Sequence, residues 1–290
     1  MSKKLWQVQP LAPAEFRAAF PAIDGVVLQL LHNRGLRTQV AIDEFLQPDY
    51  DGDVHDPFRF AAMERAVGRV ANALARQEPI LVYGDYDADG VCAAALLVSS
   101  LEAFGARPGV YLPFRESEGY GLNEGAVKEI MAQGYRLVVT VDCGITNVAE
   151  VAALEAGGVD VIVTDHHKPP DVLPNAFALL NPKLPGETYP YPHLSGTGVA
   201  FKLVQALVAP ATRQRYGDLA FPPEGFEKWL LDLVAVSTVA DLCELIGENR
   251  TLVHYGLTVL GKSRRLGLQS LMKVAKVAPG TVANQAIGFA

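Results

Sequence analysis

The sequence has few cysteines and no long apolar run, and each shortage excludes a class of protein. Three cysteines occur in 290 residues, Cys92, Cys143 and Cys243, and none forms a CxxC pair. This spacing argues against a zinc knuckle or a disulfide framework, so we expect reduced, mostly buried thiols. No uncharged apolar run reaches the roughly 18 residues of a membrane span, and no leader pattern opens the chain. We therefore expect a cytoplasmic protein that does not contact a membrane.

Positive charge is also scarce. Lys and Arg number 25 against 32 Asp and Glu, for a formal net charge of −7. Proteins that bind nucleic acid usually carry a basic excess, so the composition shows no general footprint of this kind. Two considerations keep nucleic acid open as a partner. Bound cations would offset clustered acids, and a basic surface could lie in sequence outside this chain.

The middle of the chain alternates short β-branched runs with amphipathic helical patterns. This rhythm predicts an α/β fold with a doubly wound, mainly parallel sheet, together with a helical N-terminal cap and a helical C-terminal part. The domain boundaries that we expect are 1–60 for the cap, 61–245 for the α/β domain and 246–290 for the helical end. Strands are predicted at 80–83, 110–112, 137–141, 159–163 and 177–180, with helices at 91–104, 123–133 and 148–156.

Acidic and imidazole side chains follow three of these strands directly. The carboxyl ends of parallel strands meet at one edge of a sheet, where α/β proteins bind ligands. Carboxylates so close together repel each other unless cations bind between them, and the mixture of oxygen and imidazole ligands favours Mn²⁺, with Mg²⁺ as competitor. Each Asp taken alone could instead form a turn or cap a helix. The residues concerned are Asp85, Asp87, Asp89, Asp142, Asp165, His166 and His167.

Further polar residues are candidates for the same site. Asp241 follows a strongly apolar helical run and could bring a carboxylate from a second side, bridging two ions. Arg115, after the second strand, could clamp a phosphate or could be a solvated surface residue. Ser195 and Gly196 precede a helix, where backbone N–H groups could bind an anion. A glycine-rich turn with an ordinary helix cap is the alternative there.

Four ordered motifs resemble those of the DHH phosphoesterases. They are GDYDADG at 84–90, VDCGI at 141–145, TDHHK at 164–168 and STVADL at 237–242. Small-molecule members of that superfamily carry a histidine before the first Asp pair, which this chain lacks. The triple Asp of the first motif instead resembles the RecJ family of single-strand-specific exonucleases.

The resemblance implies a function and roles for individual residues. A RecJ-type enzyme would degrade single-stranded DNA from 5′ to 3′ into 5′-mononucleotides, in DNA repair and recombination, by a two-metal mechanism. It would be a monomer, with single-strand-binding protein and a RecQ-type helicase as partners, and a DHH-associated domain would follow residues 246–290. The catalytic residues would be Asp142, His166 and His167. Up to two Mn²⁺ or Mg²⁺ ions would be held by Asp85, Asp87, Asp89, Asp142, His166 and Asp241. The substrate phosphate would contact His167, Arg115, Ser195 and Gly196, and Asp165 would orient a histidine from behind.

Two other functions fit the same motifs. A DHH phosphodiesterase for short oligonucleotides or cyclic dinucleotides would suit a chain of this length, but the triple Asp argues against it. A non-catalytic replication scaffold related to RecJ would keep the fold and lose its ligands. The intact acids and both histidines argue against that function.

Overall fold

The computed structural model describes residue 5, residues 7–278 and residues 284–288. The chain forms two compact units, Met1–Asp49 and Tyr50–Ala290. Within the described ranges, no helix combines the length and the apolar character that crossing a membrane requires.

The first unit is helical, as the sequence predicts. Asp24 starts the second helix by accepting hydrogen bonds from two backbone N–H groups, and Thr38 caps the third in the same way. Leu28, Leu31 and Ile42 are buried. The helices are α1 (Ala14–Ala19), α2 (Gly25–Asn33) and α3 (Gln39–Leu46).

The second unit contains a five-stranded sheet in which every pairing is parallel, in the order β2-β1-β3-β4-β5. The predicted doubly wound sheet is confirmed, and the observed strands begin and end within one residue of their predicted bounds. After β1 the chain moves outward to β2, and it then returns to the other side of β1 to form β3. A doubly wound sheet binds ligands at such a reversal. The strands are β1 (Ile80–Gly84), β2 (Gly109–Tyr111), β3 (Leu137–Val141), β4 (Asp160–Thr164) and β5 (Ala178–Leu180).

Helices cover both faces of this sheet. Successive strand residues point to opposite faces, so Ile80 and Val82 join one apolar cluster while Leu81 and Tyr83 join the other. Helices α7 and α8 contribute to the second cluster, and α5, α6, α9 and α11 to the first. The helices of this unit are α4 (Tyr50–Asp53), α5 (Met63–Arg76), α6 (Ala88–Ala103), α7 (Glu124–Ala132), α8 (Val148–Ala156), α9 (Gly196–Val208), α10 (Pro210–Arg215), α11 (Leu231–Ala240), α12 (Gly247–Leu260), α13 (Leu266–Val274) and α14 (Asn284–Gly288), with short 3₁₀ turns at Pro57–Arg59 and Phe226–Leu230.

The strand register brings the site residues level with one another. Gly84 pairs with Val141, and Val141 pairs with Thr164, so these residues end three adjacent strands in one row. The next residue of each strand is an aspartate, namely Asp85, Asp142 and Asp165. Three carboxylates therefore leave the sheet side by side.

The compact units divide the chain between Asp49 and Tyr50, and the domain boundaries at residues 60 and 246 stay predictions. A buried ion pair ties both segments into the second unit: Lys202 Nζ lies 2.5 Å from Glu248 Oε1, and both side chains are fully buried. Lys202 also donates to the carbonyl of His55 at 2.7 Å, and Tyr189 donates to Glu248 Oε2 at 2.6 Å. Residues 50–60 and α12 thus belong to this unit. The predicted continuation beyond Phe289 and Ala290 concerns residues outside the described part.

Candidate metal centre

Six of the predicted site residues come together beyond the carboxyl ends of β1, β3 and β4. Their ligand atoms and the sulfur of Cys243 form three sets, and within each set the atoms lie within 4.8 Å of one another. Asp142 belongs to two of these sets and His166 also to two, so the sets form one continuous centre. The sets are Asp85 with Asp87 and Asp142, Asp142 with His166 and His167, and His166 with Asp241 and Cys243.

The first motif forms the turn between β1 and α6. Asp87 caps α6, because its Oδ1 accepts hydrogen bonds from the backbone N–H groups of Asp89 and Gly90 at 2.8 and 3.0 Å. Gly90 lies against the backbone of Asp85, and a side chain there would overlap it. Asp85 is buried, which raises its pKa, and its Oδ1 has no hydrogen-bond partner within the described part of the chain. The turn therefore directs a buried carboxylate toward the centre.

Asp142 occupies the middle of the centre. Its backbone is left-handed, with φ 60°, a conformation that is uncommon outside glycine and is concentrated at functional sites. Burial, followed by the charges of Asp89 and Asp87, raises the pKa of Asp142 to about 11. Its Oδ1 is buried with no hydrogen-bond partner among the described residues. A bound cation would lower the pKa of Asp142 again, because it favours the charged carboxylate.

His166 presents a free nitrogen to the same point. Its Nδ1 lies 3.0 Å from the carbonyl oxygen of Leu194. A carbonyl can only accept, so Nδ1 carries the proton and Nε2 keeps its lone pair. Nε2 lies 3.2 Å from Asp142 Oδ1 and 3.8 Å from Asp241 Oδ2. Three electron-pair donors thus face one another, an arrangement that fits a divalent cation between them.

Asp165 lies outside the ligand sets and fixes the neighbouring histidine. Its Oδ1 is 2.8 Å from His167 Nδ1, and its Oδ2 accepts from the N–H of Ile145 at 3.0 Å. Burial alone would raise the pKa of Asp165, but the hydrogen bonds from His167 and Ile145 lower it. The hydrogen bond between His167 and Asp165 also raises the pKa of His167. Tyr120 Oη also lies 3.0 Å from His167 Nδ1, which leaves Nε2 of this half-exposed ring directed outward.

Asp89 is predicted to hold metal, and its two carboxylate oxygens bond to the start of α9. Its Oδ2 accepts from the N–H of Gly196 and its Oδ1 from the N–H of Thr197, both at 2.7 Å, and Ser237 Oγ lies 2.5 Å from Oδ1. Both oxygens are therefore committed to the start of α9, and Asp89 belongs to none of the ligand sets. The sequence could not separate this acid from its two neighbours, because the partner helix begins 107 residues later.

The same contacts shape the start of α9, where Ser195 and Gly196 are predicted to bind phosphate. Asp89 occupies the first N–H groups of α9, and Ser195 Oγ accepts from Gly198 N at 3.1 Å. A capped helix start, the alternative left open by the sequence, is what the structure contains. A side chain at Gly196 would overlap the carboxylate of Asp142. Glycine is needed there for close packing against the centre.

Arg115 is exposed, and its guanidinium lies over the ring of Tyr86, 5.3 Å from the centroid. Burial raises the pKa of Asp85 and the charge of Arg115 offsets part of that rise, so Arg115 lies within electrostatic reach of the centre.

Sequence reasoning gave no role to Tyr120, to the Leu194 carbonyl or to Cys243. Tyr120 lies between Gly119 and Gly121, a pattern typical of a turn, whereas a backbone carbonyl gives no signal in a sequence. Cys243 is two residues after Asp241, close enough to have been considered.

Comparisons with known proteins agree with this geometry. Residues 79–238 match the DHH family, N-terminal domain. The chain is 39% identical over 290 residues to the single-stranded-DNA-specific exonuclease RecJ of Bacillus subtilis, covering 99% of this chain and 35% of that protein. It superimposes on the crystal structure of RecJ in complex with Mn²⁺ from Thermus thermophilus with a TM-score of 0.75 and 31% identity, covering 98% of this chain and 38% of that one. A structure of exonuclease RecJ bound to manganese gives a TM-score of 0.68 at 36% identity, covering 79% and 55%. The chain thus spans little more than a third of the first two proteins, and it belongs to the DHH family.

Proposed function

We propose that the chain is the catalytic core of an exonuclease that degrades single-stranded DNA from 5′ to 3′ into 5′-mononucleotides, in DNA repair and recombination. One observation carries this proposal. Acids and imidazoles from four separate motifs meet at one edge of the sheet, where two buried carboxylate oxygens, on Asp85 and Asp142, lack any hydrogen-bond partner in the described structure. The extended likeness to proteins named as single-stranded-DNA-specific exonucleases supplies the substrate class.

The ligands that we propose for up to two Mn²⁺ or Mg²⁺ ions are Asp85, Asp87, Asp142, His166 and Asp241. Asp142 would be shared, because it belongs to two ligand sets. Such ions, when bound, neutralise charge on a phosphodiester and make water a better nucleophile. Leu194 supports this arrangement by holding the proton of His166 on Nδ1, away from the ions.

Substrate phosphate would be held by the side chains around the ions. His167 has its Nδ1 occupied by Asp165 and Tyr120, so its Nε2 is left to face a phosphate oxygen. The hydrogen bond that His167 donates to Asp165 raises the pKa of His167, which favours the cationic form, in which Nε2 donates to the phosphate. Arg115, stacked on Tyr86, would add a second cation above the same edge.

Charge distribution along the chain supports a nucleic-acid substrate in spite of the net charge of −7. Residues 249–290 contain six Lys and Arg residues and no Asp or Glu. Exposed Lys262, Arg264 and Lys273 line one surface hollow together with Gln269. We call this hollow the basic surface. Phosphates of a strand lying there would release counterions, which gives salt-dependent binding.

A buried acid holds the basic surface in shape. Asp232, on α11, is 2% exposed; its Oδ2 accepts from Ser263 Oγ at 2.7 Å and from Arg265 Nε at 3.1 Å. These bonds direct Ser263 and Arg265 inward, while Lys262 and Arg264 remain exposed. The loop therefore presents its cations to solvent in a fixed conformation.

An apolar groove adjoins the basic surface. It is lined by Ala88 and Ala240, each adjacent in sequence to acids of the centre, and by Met272 and Val277, which also line the basic surface. A single strand could follow this groove with its bases on apolar side chains and its phosphates on the cations.

The remaining features of the proposal come from the family resemblance. They are a monomeric state, action in the cytoplasm, and cooperation with single-strand-binding protein and a RecQ-type helicase.

The test is release of mononucleotides from single-stranded DNA labelled at the 5′ or the 3′ end, in Mn²⁺, with a duplex control. The proposal expects label to leave first from the 5′ end and Asp142→Asn to abolish its release. Release from duplex at an equal rate, or from the 3′ end first, would contradict it. Cleavage of dinucleotides alone would instead favour a phosphodiesterase for short oligonucleotides.

A further inference from the structure

Cys243 lies at the edge of the metal centre and is partly buried. Its Sγ is 3.2 Å from Asp241 Oδ2, and His166 Nε2 is 3.8 Å from the same oxygen. The three ligand atoms all lie within 4.8 Å of one another. A sulfur, a nitrogen and an oxygen ligand are thus grouped around one point.

The end of α11 produces this grouping. Leu242 N donates to the carbonyl of Val239 at 3.2 Å, and Cys243 N donates to that of Thr238 at 3.1 Å. This is the hydrogen-bond pattern of a Schellman helix end, in which the first residue after the C-cap has a left-handed backbone. Leu242 takes that conformation, with φ 56°, and is 87% exposed. The turn sends Leu242 to solvent and brings the next side chain back toward the centre.

A separate observation indicates that a cation belongs at this point. Asp142, 1% exposed, directs its unpartnered Oδ1 to within 3.2 Å of His166 Nε2. Because the Leu194 carbonyl keeps the proton of the neutral His166 ring on Nδ1, His166 Nε2 offers its lone pair on the side that faces Asp142. A buried carboxylate oxygen therefore lies beside His166, the histidine that also belongs to the ligand set of the sulfur.

We propose that Asp142, His166, Asp241 and Cys243 form a site for a thiophilic divalent cation, with Zn²⁺ as the ion that it binds most tightly among those available in cells. Thiolate and imidazole ligands favour zinc and cobalt, whereas Mn²⁺ and Mg²⁺ prefer oxygen. Binding forms a metal–sulfur bond and releases the thiol proton to solvent. The inference rests on the proposed function in one respect: three of the four ligands are shared with the proposed Mn²⁺ site, so Zn²⁺ and Mn²⁺ would compete.

The test uses Co²⁺ as a spectroscopic substitute for zinc. Metal-free chain titrated with Co²⁺ should develop a near-ultraviolet thiolate-to-cobalt charge-transfer band, and Zn²⁺ should remove it. Cys243→Ser should lose the band, and the matched control Cys92→Ser should keep it. The preference for Zn²⁺ over Mn²⁺, measured as the ratio of their dissociation constants, should fall about tenfold or more in Cys243→Ser.

A second measurement needs no variant. Zn²⁺ should slow alkylation of Cys243 in the wild-type chain, read by peptide mass spectrometry, and Mg²⁺ should leave it unchanged. A wild-type cobalt complex without the band, a band that survives Cys243→Ser, or alkylation that Zn²⁺ does not slow would overturn the inference. These readouts are independent of DNA hydrolysis. A chain that shows the band but no nuclease activity would support the zinc site and refute the proposed function. A chain with nuclease activity but no band would support the proposed function and refute the zinc site.

Discussion

Replacing Asp142 with asparagine should change stability in opposite directions without and with Mn²⁺. Without metal, the wild-type chain buries a carboxyl oxygen that has no hydrogen-bond partner in the described structure. The asparagine amide could donate from the same position to His166 Nε2, 3.2 Å away. Asparagine also tolerates the left-handed backbone, φ 60°. The wild-type carboxyl must hold a proton in the folded state, which costs about 1.4 kcal/mol for each pH unit above about 4. The metal-free variant should therefore be more stable than wild type by about 1–3 kcal/mol between pH 5 and pH 6.

The gain should increase with pH. Burial, followed by the charges of Asp89 and Asp87, raises the pKa of Asp142 to about 11. The folded chain therefore keeps a proton that the unfolded carboxyl releases above about pH 4. The contribution of this group to wild-type stability is lost progressively as pH rises from about 4 toward 11. The variant has no titrating group at this position and should lack that dependence.

With Mn²⁺ the sign should reverse. An ion present at a thousand times its dissociation constant stabilises the folded state by about 4.1 kcal/mol, which exceeds the advantage of the metal-free variant. For a chain of this size, each kcal/mol raises Tm by about 2–4 °C, so wild type should gain about 8–16 °C. The variant should gain little, because Asp142 belongs to two of the three ligand sets.

Thermal unfolding at several pH values, with and without Mn²⁺, measures both effects. Exposed Asp218→Asn is the matched control, and it should behave as wild type. A metal-free Asp142→Asn chain that is less stable than wild type, or one that keeps the full Mn²⁺ shift, would refute the reasoning.

Three further predictions address the surroundings of the centre. Lys262→Glu combined with Arg264→Glu should weaken single-stranded DNA binding and reduce the slope of log K against log salt by about 0.7 for each lost phosphate contact, measured by fluorescence anisotropy; an unchanged slope would contradict the basic surface. Gly196→Ala should cost about 1–3 kcal/mol in urea unfolding, because the new methyl group overlaps a buried carboxylate, and a neutral result would mean that the helix start can shift. Asp165→Asn should lower the pKa of His167, since the hydrogen bond that His167 donates to Asp165 is the main cause of its elevation, and an NMR titration of the metal-free chain that shows no change would disprove this.

The sequence by itself determined the strands of the sheet and the edge at which the site lies. Apolar β-branched runs such as Leu137–Val141 need both faces buried, and the turns after them carry the aspartates. Both signals are local, because a strand and the residue that follows it are contiguous in the chain. Parallel pairing then dictates that Asp85, Asp142 and Asp165 emerge side by side.

Only the tertiary structure separated the aspartates from one another. Asp87 and Asp89 occupy similar positions in the first motif, yet Asp89 caps the start of α9 and Asp87 belongs to a ligand set. The difference arises from contacts with residues more than a hundred positions away, which no local pattern encodes.

The same reason applies to other contacts that the sequence does not reveal. The Lys202–Glu248 pair joins two helices far apart in sequence. The proton of His166 is fixed by a backbone carbonyl, a group that every residue has and that a sequence therefore cannot single out. Periodicity and turn chemistry are local and can be read from the chain, whereas the partner of each buried polar group is set by packing between distant segments.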